Sequence, residues 1–267
     1  MTAPTTQPRS QQLTLGRGLA RERGNFTWVY LWGAPLRAMH WTAALSILVL
    51  IVTGLFVARP YVAPTGDTTS PYLMGRMRFF HFVAAAVIVM TGIVRFYWLF
   101  AGNRFERLRA LFPFTSRNLG NLWRTTLGYL TLNRTDAPVY VGHNPLQQVL
   151  YTGTYVTTAV MVLTGFALYG QSNPGGTIHQ LFNWVVPLLG GLQIVRLIHH
   201  ALTYGYILFI IFHVYFAARA DYVERAGVIS SIITGGRYIP ANDSYEDYDV
   251  EKVPAQPRAS HEHPMGD

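Results

Sequence analysis

Four stretches of this sequence, Pro35–Ala58, Phe79–Ala101, Leu146–Gly170 and Leu192–Ala220, are predominantly apolar, and each reaches the roughly 20 residues an α-helix needs to cross the hydrocarbon core of a bilayer. Inside lipid every backbone polar group has to be satisfied by the segment itself, so such runs are expected as helices. Composition agrees. Of 267 residues, 50% are hydrophobic and only 13% charged, and the mean hydropathy is positive, a balance too apolar for an ordinary soluble domain. The expected fold class is an all-α membrane protein built as a four-helix transmembrane bundle, with a short external amphipathic segment and polar cytoplasmic tails. Residues 1–34 form the N-terminal segment and 35–220 the bundle, with helices at about 35–58, 79–101, 146–170 and 192–220. Residues 221–267 form a tail that loses order toward its end, where His261 and His263 lie among polar residues.

Two of the helix starts are marked by proline in the first turn. Pro35 opens the first, and Asn144-Pro145 supplies an N-cap followed by proline for the third. No short apolar region precedes a small-residue cleavage site near the N-terminus, so the first span is expected to stay in the mature protein. Cations set the orientation. Arg9, Arg17, Arg21, Arg23 and Arg37 precede or open the first helix, Arg104, Arg107, Arg109, Arg117, Arg124 and Arg134 fill the central connection, and Arg219, Arg225, Arg237, Lys252 and Arg258 follow the last. The other connections hold only Arg59, Arg76, Arg78 and Arg196. Both termini are therefore expected on the cytoplasmic side of the inner membrane. The net charge of +8 reports this topology and attraction to anionic lipid rather than nucleic-acid binding.

The chain has no cysteine, which excludes disulfides, cysteine-ligated iron–sulfur clusters and covalently attached haem. Any redox centre must be held by nitrogen. Histidines stand where nitrogen is expensive: "LIHHALTYGYILFIIFHVYFAARAD" places His199, His200 and His213 within one apolar span. His199 and His213 are 14 positions apart, so on a helix they return to within about 40° of each other while separating by about 21 Å along the axis. His200 is turned away from that stripe. In the expected topology His40 lies near the inner end of the first helix and His81 near the outer end of the second. Each leaflet thus receives two imidazoles from two helices, His81 with His199 outside and His40 with His213 inside, the arrangement that bis-imidazole ligation of a haem iron in each leaflet requires. Gly54, Gly92 and Gly165, each preceded by threonine, suit either a groove for a flat macrocycle or plain helix packing. Arg37 and Arg219 suit haem propionates or interfacial snorkelling. His179, in "GGTIHQLFNW", belongs to the external amphipathic stretch and is expected to meet water or a partner.

The segments "YLWGAPLRAMHW", "YLMGRMRFFHF", "RFYWLFAGNRFER", "VGHNPLQQ", "TGFALYG" and "FHVYFAARAD" followed by "GVISSIITGGRY" resemble the successive signature segments of the b-type cytochrome subunit of membrane-bound nickel–iron hydrogenases, from about Tyr30 to Tyr238. The gamma subunit of formate dehydrogenase is similar. The resemblance implies two b haems, with ligand positions falling on His40, His81, His199 and His213. It implies hydrogenase small and large subunits on the periplasmic side and membrane quinone as electron acceptor, with no H2-activating site in this chain. It also makes Asn144 and Gln147 candidates for hydrogen bonding a quinone carbonyl. The alternative reading of that pair is a capping box. His143 is a candidate proton carrier, since an unperturbed imidazole titrates near neutrality, or else a plain interfacial residue. This chain carries His200 beside the matched ligand and Arg196 one turn before it. Two other readings are a cytochrome b anchor of another quinone-linked oxidoreductase, of formate dehydrogenase or thiosulfate reductase type, and a haem-free transporter or structural anchor.

Overall fold

A computed structural model describes residues 26–61, 72–112, 116–130, 138–224, 227–240 and 244–247. Arg9, Arg17, Arg21, Arg23, His261 and His263 lie outside the described residues. Strand β1 (Phe26–Tyr30) leads into α1 (Ala34–Ala58), and α2 (Leu73–Ala101) returns. The short α3 (Leu108–Leu111) and α4 (Ser116–Leu130) precede α5 (Pro145–Gly170). Two short helices, α6 (Thr177–Phe182) and α7 (Val185–Leu188), lead to α8 (Leu192–Glu224), then α9 (Val228–Thr234) and strand β2 (Gly236–Pro240).

Helices α1, α2, α5 and α8 are each long and apolar enough to cross a membrane. Their outward residues are large and apolar and exposed, among them Leu45, Leu48 and Val52 on α1, Phe96 and Phe100 on α2, Val156 on α5 and Ile211 and Tyr215 on α8. This is the surface a lipid-facing bundle presents. α1 packs chiefly on α2, α5 on both α6 and α8, and α8 also touches α1 and α9.

Element ends differ from the hydropathy boundaries in two places. α2 begins at Leu73 rather than Phe79, so Arg76 and Arg78 ride on its first turns; helical hydrogen bonding continues through the headgroup layer, where arginine is tolerated. α8 has 33 residues, about 50 Å at 1.5 Å per residue, which carries it well past the apolar run. The segment assigned to a polar tail holds α9 and β2, and the central connection holds α4. On α4 Asn121 and Thr125 are buried while Leu119 and Trp123 are exposed, the amphipathic pattern of a helix lying in a membrane interface.

β1 and β2 pair antiparallel, with Phe26 opposite Pro240 and Tyr30 opposite Gly236, and Trp28 packs edge-on against Tyr238 at 4.9 Å between ring centroids. The pairing brings both ends of the described chain to one face of the bundle, here the sheet end. Gly235, left-handed at φ 98°, ends α9, and its carbonyl accepts from both Leu31 N and Trp32 N at 2.8 Å. A side chain there would stand 2.9 Å from the Trp32 carbonyl oxygen. Beneath the sheet Val29, Leu31, Phe105, Val141 and Ile239 form a small core. Tail residue Asp247 closes it, accepting from Val141 N and Gly142 N at 2.7 Å each. A second core at the opposite end joins Ala167, Val185 and Val195.

Glu106 ties the sheet end together. Only 1% exposed, its carboxylate accepts from Gly33 N at 2.5 Å, Trp98 Nε1 at 2.8 Å and Asn103 N at 3.1 Å. It therefore joins the start of α1, the end of α2 and the turn after it. Glu106→Ala leaves three donors without this acceptor, and hydrogen bonds to a carboxylate contribute roughly 1.5–3 kcal/mol each. We expect a loss of about 3 kcal/mol or more in Glu106→Ala and a smaller one in Glu106→Gln, read as thermal unfolding in detergent; equal midpoints for all three proteins would show that the clamp contributes nothing.

Candidate functional site

The four spans enclose one continuous cavity lined by His40, His81, His199, His200 and His213. His40, in the second turn of α1, and His213, late in α8, meet near the sheet end with ring centroids 6.2 Å apart and planes at 46°. Neither imidazole makes a hydrogen bond among the described residues, and His40 Nδ1 is buried without a partner. His213 stacks on Phe209 at 5.5 Å.

His81, on α2, and His199, on α8, line the same cavity toward its opposite end. Each is held the same way by a different helix. Thr53 Oγ1 of α1 is 2.9 Å from His81 Nδ1, and Thr164 Oγ1 of α5 is 2.9 Å from His199 Nδ1. The next residue in each case is a glycine whose missing side chain makes room for the ring: a Cβ on Gly54 would stand 3.1 Å from His81 Cε1, and one on Gly165 3.2 Å from His199 Cε1. Two of the three threonine–glycine pairs thus seat histidines. At the third, Gly92 has nothing within 4 Å of a built Cβ. His200 instead meets Tyr204 edge-on at 5.3 Å.

The other sequence candidates gather at the sheet end. Arg37 donates through Nη1 to the Ile233 carbonyl and Trp41 Nε1 donates to the Ile232 carbonyl at 3.3 Å, so both cap the C-terminus of α9; Arg37 Nε is buried without a partner. Arg219 is half-buried on α8, six residues beyond His213. Asn144 and Gln147 form a full capping box: Gln147 N donates to Asn144 Oδ1 at 2.9 Å and Asn144 N to Gln147 Oε1 at 3.0 Å. Their amide oxygens are committed to the helix start.

His143 stands just before α5. Its ring lies between Trp32 at 4.8 Å and Tyr151 at 4.5 Å, and Nδ1 is sealed from solvent without a partner. Burial, reinforced by the nearby Arg95 and Arg237 guanidiniums, pulls its pKa down from 6.5 to about 3. The neutral ring is therefore the favoured form there near neutrality. His179, expected to meet water or a partner, is partly buried, with its backbone against Gly170 of α5.

Arg95 was not singled out in the sequence. It is 9% exposed, donates from Nε to Tyr155 Oη at 2.9 Å and from Nη2 to the Glu106 carbonyl at 3.2 Å, and keeps Nη1 buried without a partner. A cation inside an apolar span is a functional signal in itself, and "IVRFYWLF" contains it.

Whether these residues fit a haem is a matter of distance and lone pairs. Two imidazoles that held one metal through bonds of roughly 2 Å would bring their ring centroids to within about 6 Å of each other, and the His40–His213 separation is 6.2 Å. Among the described residues no group of three or more His, Cys, Asp or Glu is placed to hold a bare metal ion, whereas haem iron asks for two. The residues fit the group.

Comparison with known proteins agrees with that chemistry. A relative in Azotobacter chroococcum, named probable Ni/Fe-hydrogenase B-type cytochrome subunit, is 40% identical over 230 residues, covering 85% of this chain and 95% of the relative. One of the same name in Cupriavidus necator is 37% identical over 210 residues, 78% of this chain and 86% of the relative. An Escherichia coli protein named probable Ni/Fe-hydrogenase 1 B-type cytochrome subunit is 32% identical over 216 residues, 78% and 90% of the two chains. The profile of the prokaryotic cytochrome b561 family matches residues 31–235, a span that holds all four membrane helices and every histidine of the cavity, and the chain belongs to that family.

Proposed function

We propose that this chain is the membrane anchor and electron-transfer subunit of a nickel–iron hydrogenase, carrying electrons from H2 oxidation by way of two b haems to membrane quinone. As a cytochrome b561 related to B-type cytochrome subunits, it is a multi-pass membrane protein that carries haem b. Bound haem supplies reversible one-electron chemistry. The protein's part is to offer two pairs of imidazoles, to keep water out and to fix where electrons enter and leave. The observation that carries this reading is the 6.2 Å separation of His40 and His213. We take His81 and His199 as the second ligand pair.

The direction follows from charge. Among the described residues Arg104, Arg107, Arg109, Arg124, Arg219 and Arg237 belong to the sheet end, and only Arg59, Arg76, Arg78 and Arg196 to the other, which supports a cytoplasmic sheet end and a periplasmic opposite end in the inner membrane. The hydrogenase small and large subunits then dock beside His81 and His199. Quinone is proposed at the sheet end of the cavity, near the start of α5, where amide N–H groups of Asn144 and Gln147 donate to a quinone carbonyl beside neutral His143. Arg37, Arg95 and Arg219 are the cations suited to haem propionates there. The relatives' names favour hydrogenase over formate dehydrogenase or thiosulfate reductase, and co-purifying nickel rather than molybdenum checks that choice.

Absorption spectra of the purified chain are expected to show two b haems. His81→Ala or His199→Ala removes one and leaves the other, while His40→Ala or His213→Ala removes the second; unchanged haem content in any of the four would refute the ligand set, and no b-type bands at all would favour a transporter. An Asn144→Ala/Gln147→Ala double variant, at a cap cost of about 1 kcal/mol, is expected to keep both haems reducible by H2 and to lose most quinone reduction. Normal quinone turnover in that variant places the quinone elsewhere.

His143 makes a separate pH test. Folded, it stays neutral down to about pH 3, while the unfolded chain takes up the proton near 6.5. Between those values the unfolded state binds more protons, so stability is full above about 6.5 and falls as the pH is lowered. His143→Gln is expected to flatten that acid slope in detergent unfolding curves; an unchanged slope shows that His143 is not held neutral.

A further inference from the structure

We propose that Thr53 and Thr164 are positioning residues that fix the tautomer of His81 and His199 and, through it, lower the reduction potential of the haem bound between them. This rests on the assignment of those two histidines as iron ligands.

The argument is a count of protons. A threonine hydroxyl has one to give and can accept as well. Thr53 Oγ1 gives its proton to the Val49 carbonyl at 2.6 Å, and Thr164 Oγ1 to the Val160 carbonyl at 2.7 Å; a carbonyl only accepts, so neither donation can be reversed. With that proton on the carbonyl, each hydroxyl receives at its 2.9 Å contact with the ring, which puts the ring proton on Nδ1 of each histidine. Nε2 of each ring is left with its lone pair bare, in the form an iron ligand needs.

A hydrogen bond donated from the far nitrogen also makes the ligating nitrogen more basic. A more basic ligand stabilises ferric over ferrous iron, so the potential falls. One electron enters and leaves the iron, and the Nδ1 proton stays where it is in both states. The sheet-end pair has no such support: His40 Nδ1 is buried without a partner, and His213 stacks on Phe209. The threonines thus pull the two potentials apart in the sense that favours electrons entering at the His81–His199 end. The glycines complete each device, because a methyl group at Gly54 or Gly165 would crowd the ring edge that the hydroxyl holds.

The test uses the full chain with its haems bound, in membranes, followed by optical redox titration and by the ferric low-spin electron paramagnetic resonance signals. Thr53→Val and Thr164→Val keep the side-chain shape and remove the acceptor. Outer-shell partners of metal ligands are worth roughly tenfold or more, and a tenfold change in a one-electron equilibrium is 59 mV. Each valine variant is expected to raise one haem by about that amount, the double variant by more, with a shifted resonance for that haem alone, and Thr→Ser variants to return it to the wild-type value. Unchanged potentials in a double valine variant that retains both haems overturn the inference. Should the valine variants lose that haem, the serine variants decide: haem retained at the wild-type potential supports the inference, and haem lost there too overturns it. Both haems persisting in His81→Ala and His199→Ala would instead refute the ligand assignment beneath it.

Discussion

A neutral imidazole in a hydrocarbon interior has two nitrogens to satisfy, one with a proton and one with a lone pair, and the surrounding apolar side chains can satisfy neither. Much of this bundle is organised by that demand. At one end Nδ1 of His81 and Nδ1 of His199 are met by hydroxyls from neighbouring helices, so α1 is tied to α2 and α5 to α8 through side chains rather than through lipid-tolerant contact alone. At the other end two imidazoles face each other across 6.2 Å. Helices that gain little by burying leucine from lipid are thereby given specific partners.

The sheet end obeys the same rule in a wetter setting. Glu106 collects three donors, Arg95 gives to a tyrosine and a carbonyl, Arg237 donates to the Tyr140 and Val141 carbonyls, and Asp247 receives two backbone N–H groups. These contacts fix segments that have no regular structure of their own. They also set the electrostatics of the cavity mouth, where guanidiniums and a neutral His143 stand close together.

What the sequence disclosed follows from which signals are periodic. The four spans were legible because a bilayer imposes a length, and His199 and His213 were legible as one stripe because α-helical phase is arithmetic. The Asn144–Gln147 capping box was written in residue types at a fixed spacing. Thr53 and Thr164 were visible only as half of a threonine–glycine repetition, and their role was hidden because the partner of each lies on another helix, 28 and 35 residues away. The setting of His143 was equally hidden, since Trp32, which packs on its ring, and Arg95 and Arg237, whose charges act on it, are all distant from it in sequence. Hydropathy placed the α2 boundary late because helices do not end where lipid does. The sheet could not be read at all: β1 precedes the first span and β2 follows the last, and no local pattern announces a pairing across roughly two hundred positions.

That pairing also orders events during biogenesis. β1 leaves the ribosome first, yet its complement is made only after every membrane helix has been synthesised. Closing so long a loop from a disordered chain carries an entropic penalty, but once α1, α2, α5 and α8 have associated, the two strands already sit at the same face and little freedom is left to lose. The sheet is therefore a late event in assembly, a latch that engages only on a chain whose spans have all crossed the bilayer. A full-length chain in which one span failed to cross would leave β1 and β2 on different sides of the membrane, each with an unpaired edge.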